Sequence, residues 1–228
     1  MKKSLLAFSL CLLSHWVFSQ GYPHPFQKEV DAFVWQDKRE PPPLDPILLI
    51  GSSSFTFWKD VQQAFPTFPI LNRGFGGSSL MDLIHFAPQV IFAYAPRQIV
   101  IYCGENDLAA AAPASPREVL MRFKRLYKMI RSTWSDVPIV YISIKPSPAR
   151  WHLEAKFVEA NRLINGYLRN KKGAVFLDVH SAMLDSRGET RSELYGNDRL
   201  HMNSGGYAIW QNLLRPLLLS GVGYPSLQ

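Results

Sequence analysis

The sequence predicts an α/β protein, a three-layer α/β/α sandwich built on a central five-stranded parallel sheet. Two observations carry this. Five apolar runs of strand length recur along the chain: Ile47–Ile50, Phe68–Leu71, Gln98–Cys103, Pro138–Ser143 and Ala174–Leu177. They are near-continuous rather than alternating, as strands covered on both faces should be. Between them lie segments whose apolar residues fall at helical spacing, and such alternation argues for parallel strands joined by helical crossovers.

Taken in order, the chain opens MKKSLLAFSLCLLSHWVFSQ. Lys2 and Lys3 make a basic start, Leu5–Phe18 a short apolar run, and Val17 and Ser19 suit a small-residue cleavage site before Gln20. Residues 1–19 therefore read as a secretory signal, too short in its apolar part to span a membrane. The expectation is an exported protein, periplasmic or extracellular, with no stable membrane insertion after cleavage. Residues 20–228 read as a single domain: about 209 residues suit one core, and no repeat or linker interrupts them. The proline-rich stretch Arg39–Pro46 is a stiff connector from an N-terminal helix to the first strand.

The first strand runs into Gly51-Ser52-Ser53-Ser54, the second into Asn72-Arg73-Gly74-Phe75-Gly76-Gly77, and the third into Gly104-Glu105-Asn106-Asp107. Ser115-Pro116-Arg117-Glu118 is then a capping box with proline at the first helical position. It opens a helix carrying Leu120, Phe123, Tyr127 and Ile130 inward. The basic residues within Met121–Arg131 are its wet face. A second helix carries Leu153, Phe157, Ala160, Ile164 and Tyr167, and a third, after Asn203, carries Tyr207, Trp210 and Leu214.

With Lys2 and Lys3 removed, 23 basic residues face 18 acidic ones. This mild excess describes a soluble exported protein and gives no reason to invoke nucleic acid. Cys11 leaves with the signal, so Cys103 has no partner for an internal disulfide and reads as a small buried hydrophobe.

In a parallel sheet the ligand site lies beyond the carboxyl ends of the strands, so the polar residues just after each strand are where chemistry belongs. Gly-Ser-Ser-Ser after a strand admits three readings: a phosphate cradle, a helix cap, or the seat of a nucleophile. No Gly-x-x-x-x-Gly-Lys-Ser/Thr and no Gly-x-Gly-x-x-Gly follows the first strand, which excludes the cradle. Phe55 stands where a Gly-x-Ser-x-Gly elbow needs its second glycine. A serine nucleophile needs a base, and a histidine base needs a partner that fixes its tautomer. Asp198 and His201, three apart just before the last helix, let one local turn hold carboxylate against ring. Acyl transfer also needs donors aimed at a developing oxyanion. The Asn106 amide and a backbone N–H kept open at Gly77 would supply them beside the nucleophile's own N–H.

With these four blocks in place, the chain resembles the SGNH hydrolase superfamily, the GDSL-like esterases and lipases, over nearly all of residues 20–228. The family's Gly-Asp-Ser block matches Gly51-Ser52-Ser53, and its Asn-x-Gly-x-Gly-Gly block matches Asn72 to Gly77. Its Gly-x-Asn-Asp block matches Gly104 to Asp107. Its Asp-x-x-His block matches Asp198 to His201 and is followed by Met202-Asn203-Ser204-Gly205-Gly206-Tyr207-Ala208-Ile209-Trp210, as in the platelet-activating-factor-acetylhydrolase-like branch. The resemblance implies a flavodoxin-like SGNH hydrolase fold and a serine esterase needing no cofactor. Its nucleophile would be Ser53, its dyad Asp198 and His201, and its oxyanion donors Ser53, Gly77 and Asn106. Ser52 departs from the family's aspartate, which leaves Ser52, Ser53 and Ser54 to be told apart; spacing from Gly51 favours Ser53, with Ser54 capping the next helix.

The implied reaction is hydrolysis of an O-acyl ester, an O-acetyl on a carbohydrate above all, with a small-molecule or glycan ester as substrate. A lipid esterase, lysophospholipase or thioesterase would use the same groups, and a non-catalytic binding module would not need them intact. Asp178 and His180, at i and i+2, could form a competing dyad, against the plainer reading of a strand-end aspartate and a surface histidine. His24, His85 and His152 have no further ligand at metal spacing, so no metal site is read. Trp58, Trp134 and Trp210 read as core, whereas Trp151, after the fourth strand, is a candidate substrate contact.

Overall fold

The computed structural model describes residues 24–220, so the reading of residues 1–19 as a leader lies outside them. Helix α1 (Gln27–Arg39) precedes strand β1 (Ile47–Gly51), which leads into short helices α2 (Ser53–Thr56) and α3 (Val61–Ala64). Strand β2 (Ile70–Gly74) is followed by α4 (Leu80–His85) and α5 (Ala87–Val90), and β3 (Gln98–Tyr102) by α6 (Glu105–Ala109) and the long α7 (Pro116–Thr133). Strand β4 (Ile139–Ile142), helix α8 (Glu154–Leu168), strand β5 (Ala174–Leu177) and helix α9 (Ser204–Leu214) complete the order.

The five strands pair in the order β2-β1-β3-β4-β5, all parallel, with Ile47 beside Ile70 on one side and Gln98 on the other. Successive strand residues point to opposite faces, and the two cores divide by that parity. Leu48, Ile50, Ile99, Ile101, Ile139 and Tyr141 face the layer that includes α7 and α8. Ile47, Leu49, Val100, Tyr102, Val140 and Ile142 face the layer closed by Trp58, Trp210 and Leu214. Both sides of β1, β3 and β4 are thus dry, which is why the sequence shows no alternation there. At the sheet edge β5 departs from that expectation, since Val175 is 43% exposed.

The α7 capping box forms as its sequence predicts, Ser115 and Glu118 bonding reciprocally at the helix start. Strand β2 begins and ends later than its apolar run, because Asn72, Arg73 and Gly74 continue it beside Leu49, Ile50 and Gly51. Polar residues can do so only with partners inside. Arg73, 3% exposed, bonds Tyr94 and pairs with Asp37 of α1, while the Asn72 side chain bonds Phe55 O (2.8 Å) and Gly74 N (3.0 Å). The same arginine therefore fastens α1 to the sheet edge. Among the described residues no helix is long and apolar enough to cross a membrane.

Candidate active site

The strand order reverses direction between β1 and β3, and the residues after those two strands open onto one rim. Gly51 ends β1 at φ +148, and a Cβ there would lie 1.9 Å from Tyr102 O, so the strand can close on β3 only with glycine. The three serines that follow point to three different places. Ser52 takes the N-cap position of α2, is 2% exposed, and donates its N–H to Tyr102 O. Ser53 opens α2 and its Oγ lies 3.0 Å from His201 Nε2. Contrary to the expectation from sequence, Ser54 does not cap the helix; it lies inside the first turn, 3% exposed. The apolar side of the sheet draws it in, which places Ser52 at the cap.

His201 arrives on a tight turn between Tyr195 and Met202, which bridge each other, and Gly196 N bonds His201 O at 2.8 Å. Asp198 folds back over this turn. Its Oδ1 accepts from the N–H groups of Leu200 and His201, each at 3.0 Å, and its Oδ2 meets His201 Nδ1 at 2.5 Å. Those two backbone donors first, and the imidazole after them, hold its carboxyl at about 2. The turn forces Arg199 to φ +56, a left-handed conformation costing a side-chain-bearing residue roughly 1–2 kcal/mol. Phe57 lies edge-on to the His201 ring at 4.5 Å and, with Gly196, Asn197, Asp198, His201 and Met202, lines an open depression of about 420 Å³. The ring is therefore fixed on one side by a carboxylate and on another by an aromatic edge, leaving Nε2 for Ser53.

Across the rim, Gly77 sits at φ +82, and a Cβ there would meet the Phe26 ring only at an ordinary contact distance of 3.7 Å, so it is the backbone conformation and not crowding that calls for glycine. Neither Gly77 N–H nor Ser53 N–H has an acceptor among the described residues. Asn106, in the first turn of α6, donates one amide hydrogen to Ser78 O (3.0 Å), which leaves the other for a ligand. Its neighbour Asp107 accepts from Leu80 N (3.0 Å) and from Arg122 (2.7 Å). Together these bonds stitch the loop bearing Gly77 to the end of β3, and Ser78 Oγ ties the same loop to Gly51 O (3.1 Å).

Beneath the rim is a buried ionic cluster. Glu105, 4% exposed, accepts from Tyr102 (2.5 Å), from Lys145 (3.2 and 3.4 Å) and from Arg150 (2.8 Å). Burial pushes its carboxyl upward, but the Lys145 and Arg150 charges and the bonds from Tyr102 and Lys145 outweigh this and hold it below the usual range. Lys145 Nζ also bonds Leu200 O (3.0 Å), and the same Arg150 Nη1 that reaches Glu105 reaches Asn106 Oδ1 (3.0 Å). Removing Glu105 would strand a buried lysine, a loss of about 3–5 kcal/mol.

The model of the GDSL-like lipase/acylhydrolase family matches residues 51–209, which run from the glycine that ends β1 to the last helix. The chain belongs to that family. Its members are ester-hydrolysing enzymes. Among solved structures, a Streptococcus pneumonia protein provisionally described as a platelet activating factor is 21% identical, with a TM-score of 0.73 over 85% of this chain and 92% of that one. An acetyl esterase holding an acetate ion is 16% identical, with a TM-score of 0.61 over 76% of this chain and 96% of that one. A family 3 carbohydrate esterase from Talaromyces cellulolyticus is 16% identical, with a TM-score of 0.54 over 76% of this chain and 96% of that one. These likenesses concern the fold. A curated relative, N-acylneuraminate cytidylyltransferase of Escherichia coli, is 25% identical over 168 residues, 73% of this chain; the match spans 38% of that protein's length.

Within the GDSL-like framework the rival dyad does not form. Asp178 turns to Ser181, accepting from its N–H (3.1 Å) and hydroxyl (2.6 Å). His180 is not a surface residue but 7% exposed, with its Nε2 2.6 Å from Glu154 Oε1. Helix α8 supplies that glutamate, and its packing over β5 draws the imidazole inward. Trp151, 38% exposed on a 3-10 turn at Pro148–Leu153, has no hydrogen-bond or ring contact to Ser53 or His201 among the described residues; its neighbour Arg150 is the one that reaches the site. Trp58 and Trp210 are buried, and Cys103 is 1% exposed, its thiol pushed up by burial. Glu105, Lys145, Arg150 and Phe57 are the site-facing residues that sequence reasoning missed. Only Arg150 carried a signal, through its place beside Trp151 on the segment that follows β4.

Proposed function

We propose that this GDSL-like enzyme is a serine esterase that removes short O-acyl groups, O-acetyl groups of carbohydrates in particular, through an acyl-enzyme. The observation that carries the reading is the line Asp198 Oδ2, His201 Nδ1, His201 Nε2, Ser53 Oγ, at 2.5 and 3.0 Å. Ser53 attacks the ester carbonyl while His201 takes its proton, and Asp198 holds the ring in the tautomer that leaves Nε2 able to accept it. The oxyanion forms against the N–H groups of Ser53 and Gly77 and the Asn106 amide. His201 then returns the proton to the departing alcohol. Water, deprotonated by the same imidazole, releases the acid and frees Ser53.

The preference for a short acyl group rests on the open depression beside His201, which no described residue closes over and which would leave a long chain in water. A buried methylene is worth about 0.8 kcal/mol, and an unburied one gains nothing. The carbohydrate reading draws on the two fold neighbours that are an acetyl esterase and a carbohydrate esterase. Export is proposed from Lys2, Lys3 and the apolar run Leu5–Phe18, with a mature chain beginning near Gln20.

A fluorophosphonate adduct mapped by mass spectrometry is expected on Ser53, and one on Ser52 or Ser54 would sink the assignment. In a series of acetyl, butyryl and octanoyl esters with one leaving group, kcat/KM is expected to fall with chain length. An octanoyl ester turned over more than about tenfold faster, a gain of roughly 1.4 kcal/mol, would replace the short-acyl reading with a lipid one.

A further inference from the structure

We infer that Arg150 is a positioning residue of this enzyme: its guanidinium sets the orientation of the Asn106 side-chain amide, so that N–H rather than C=O faces the forming oxyanion. The inference rests on the proposed role of Asn106 and deepens it.

A side-chain amide presents two ends of nearly equal size and opposite polarity. An oxyanion hole works only if the donor end faces the charge; the other orientation would set a carbonyl oxygen against it. Something must therefore discriminate. Ser78 O accepts one amide hydrogen at 3.0 Å, and Arg150 Nη1 donates to Oδ1 at 3.0 Å. A flipped amide would put its NH₂ against the guanidinium and its oxygen against Ser78 O, losing both bonds and gaining two repulsions. Arg150 cannot accept a hydrogen bond, so it enforces the choice in a way that a hydroxyl or water could not.

Arg150 is in turn held by a residue that has no freedom to move. Glu105 is the residue before Asn106 on α6, and the same Nη1 lies 2.8 Å from Glu105 Oε1. The carboxylate is pinned from below by Tyr102 and Lys145, both on the sheet side. Lys145 carries the fixation on to Leu200 O, one residue before His201. One buried carboxylate thus sets the mutual register of the oxyanion donor and the base turn. Arg150 is the member of this cluster on the solvent side, with 22% of its side chain exposed. It can be changed without leaving Lys145 unpaired, since Glu105 stays in place.

The test is a cycle of four enzymes: wild type, Arg150→Ala, Asn106→Ala and the double variant, each assayed for kcat and KM on one acetyl ester. Asn106→Ala is expected to lower kcat by about 10²–10³. Arg150→Ala should lower kcat by at least about tenfold, with KM little changed, and Arg150→Lys should recover part of the loss. In the Asn106→Ala background the Arg150 substitution should have almost no further effect, because the group it acts through is gone. If the double variant loses the full Arg150 factor again, Arg150 acts on substrate or on general packing and the inference is overturned. If Asn106→Ala is impaired and Arg150→Ala is not, the inference falls while the reading of Asn106 stands. If Asn106→Ala itself leaves kcat intact, the proposed role of Asn106 and this inference fall together. Should Arg150→Ala fold poorly, the Asn106 side-chain ¹⁵N–¹H pair in Arg150→Lys is the second readout. Chemical shifts and exchange identical to wild type, with kcat also unchanged, would refute the role.

Discussion

Of the three histidine–carboxylate pairs among the described residues, those of His201 and His180 have opposite characters. His201 meets Asp198 through Nδ1 and offers Nε2 to Ser53, while a quarter of its side chain remains open to solvent. His180 meets Glu154 through Nε2 and is almost wholly buried between β5 and α8, its backbone N–H held by Ser143 Oγ. Possession of a carboxylate partner therefore does not make a base. What distinguishes the first pair is that the carboxylate takes Nδ1 and comes from the same short turn, so the far nitrogen is aimed at Ser53 Oγ. In the second pair the outward nitrogen is the one consumed.

The sharpest way to break this contrast is to remove the outward-facing nitrogen. On the proposed mechanism, His201→Ala and Ser53→Ala are expected to lower kcat by about 10⁴–10⁶, as in serine hydrolases where the pair acts as a unit. Asp198→Asn should cost of order 10⁴, since an amide can hold the ring in the wrong tautomer. Single-turnover assays on an activated acetyl ester would measure all three. A dead His180→Ala with a working His201→Ala would reverse the assignment of the two pairs.

The comparison sharpens on the acid side of the pH profile. Asp198 is held at about 2, below its ordinary unfolded value near 3.9. A depressed carboxylate contributes stability above the unfolded value and loses it as pH falls through the folded one, so its window closes between about 4 and 2. Above that window Asp198 stays ionised, so a plot of log kcat/KM against pH is expected to carry no Asp198 limb above about pH 4. Because Asp198 is half exposed, the matching loss of stability should be small and weaken further in salt.

The part of this architecture that was legible from sequence is the part determined locally or by burial on two faces. The runs at Ile47–Ile50 and Gln98–Tyr102 are apolar because both sides of the central strands are covered, and the Asp198-x-x-His201 turn lies within four residues. What was not legible depends on partners far apart in the chain. Glu105 and Lys145 are 40 positions apart and read as ordinary solvated charges, since such residues are rarely buried unless paired. Arg73 likewise looked like a turn residue until Asp37 and Tyr94, on other elements, were seen to receive it. His180 was misplaced at the surface for the same reason, its glutamate being 26 residues away. The three adjacent serines could not be ordered by pattern alone; the helical twist of α2 sends Ser53 to the rim and buries Ser54.

A smaller effect is expected from Ser54→Ala. It removes a buried hydroxyl without touching Ser53 Oγ, so it should cost about 1 kcal/mol of stability or less and leave most of the activity. Denaturant unfolding beside steady-state assays would check both halves, and a loss of rate comparable to that of Ser53→Ala would show that the choice of serine was wrong.

The smallest effect on rate, and the one that most directly tests the contrast, belongs to His180. His180→Ala leaves the rim untouched: Ser53, His201 and Asn106 take no bond from it or from Glu154. Its consequence is structural. Glu154 has already one oxygen buried without a partner, and removing the imidazole deprives the other. An unsatisfied buried acceptor costs about 1–3 kcal/mol, and a protein of this size shifts by roughly 2–4 °C for each kcal/mol. The expectation is a melting temperature lower by several degrees with kcat/KM at wild-type value. His180→Ala with Glu154→Ala should recover part of that loss, because the stranded carboxylate is removed with its partner. A variant that melts normally but is catalytically impaired would mean that the buried pair communicates with the rim through β5 and the Ser143 hydroxyl. The two histidines would then belong to one machine, and the distinction drawn from their outward nitrogens would fail.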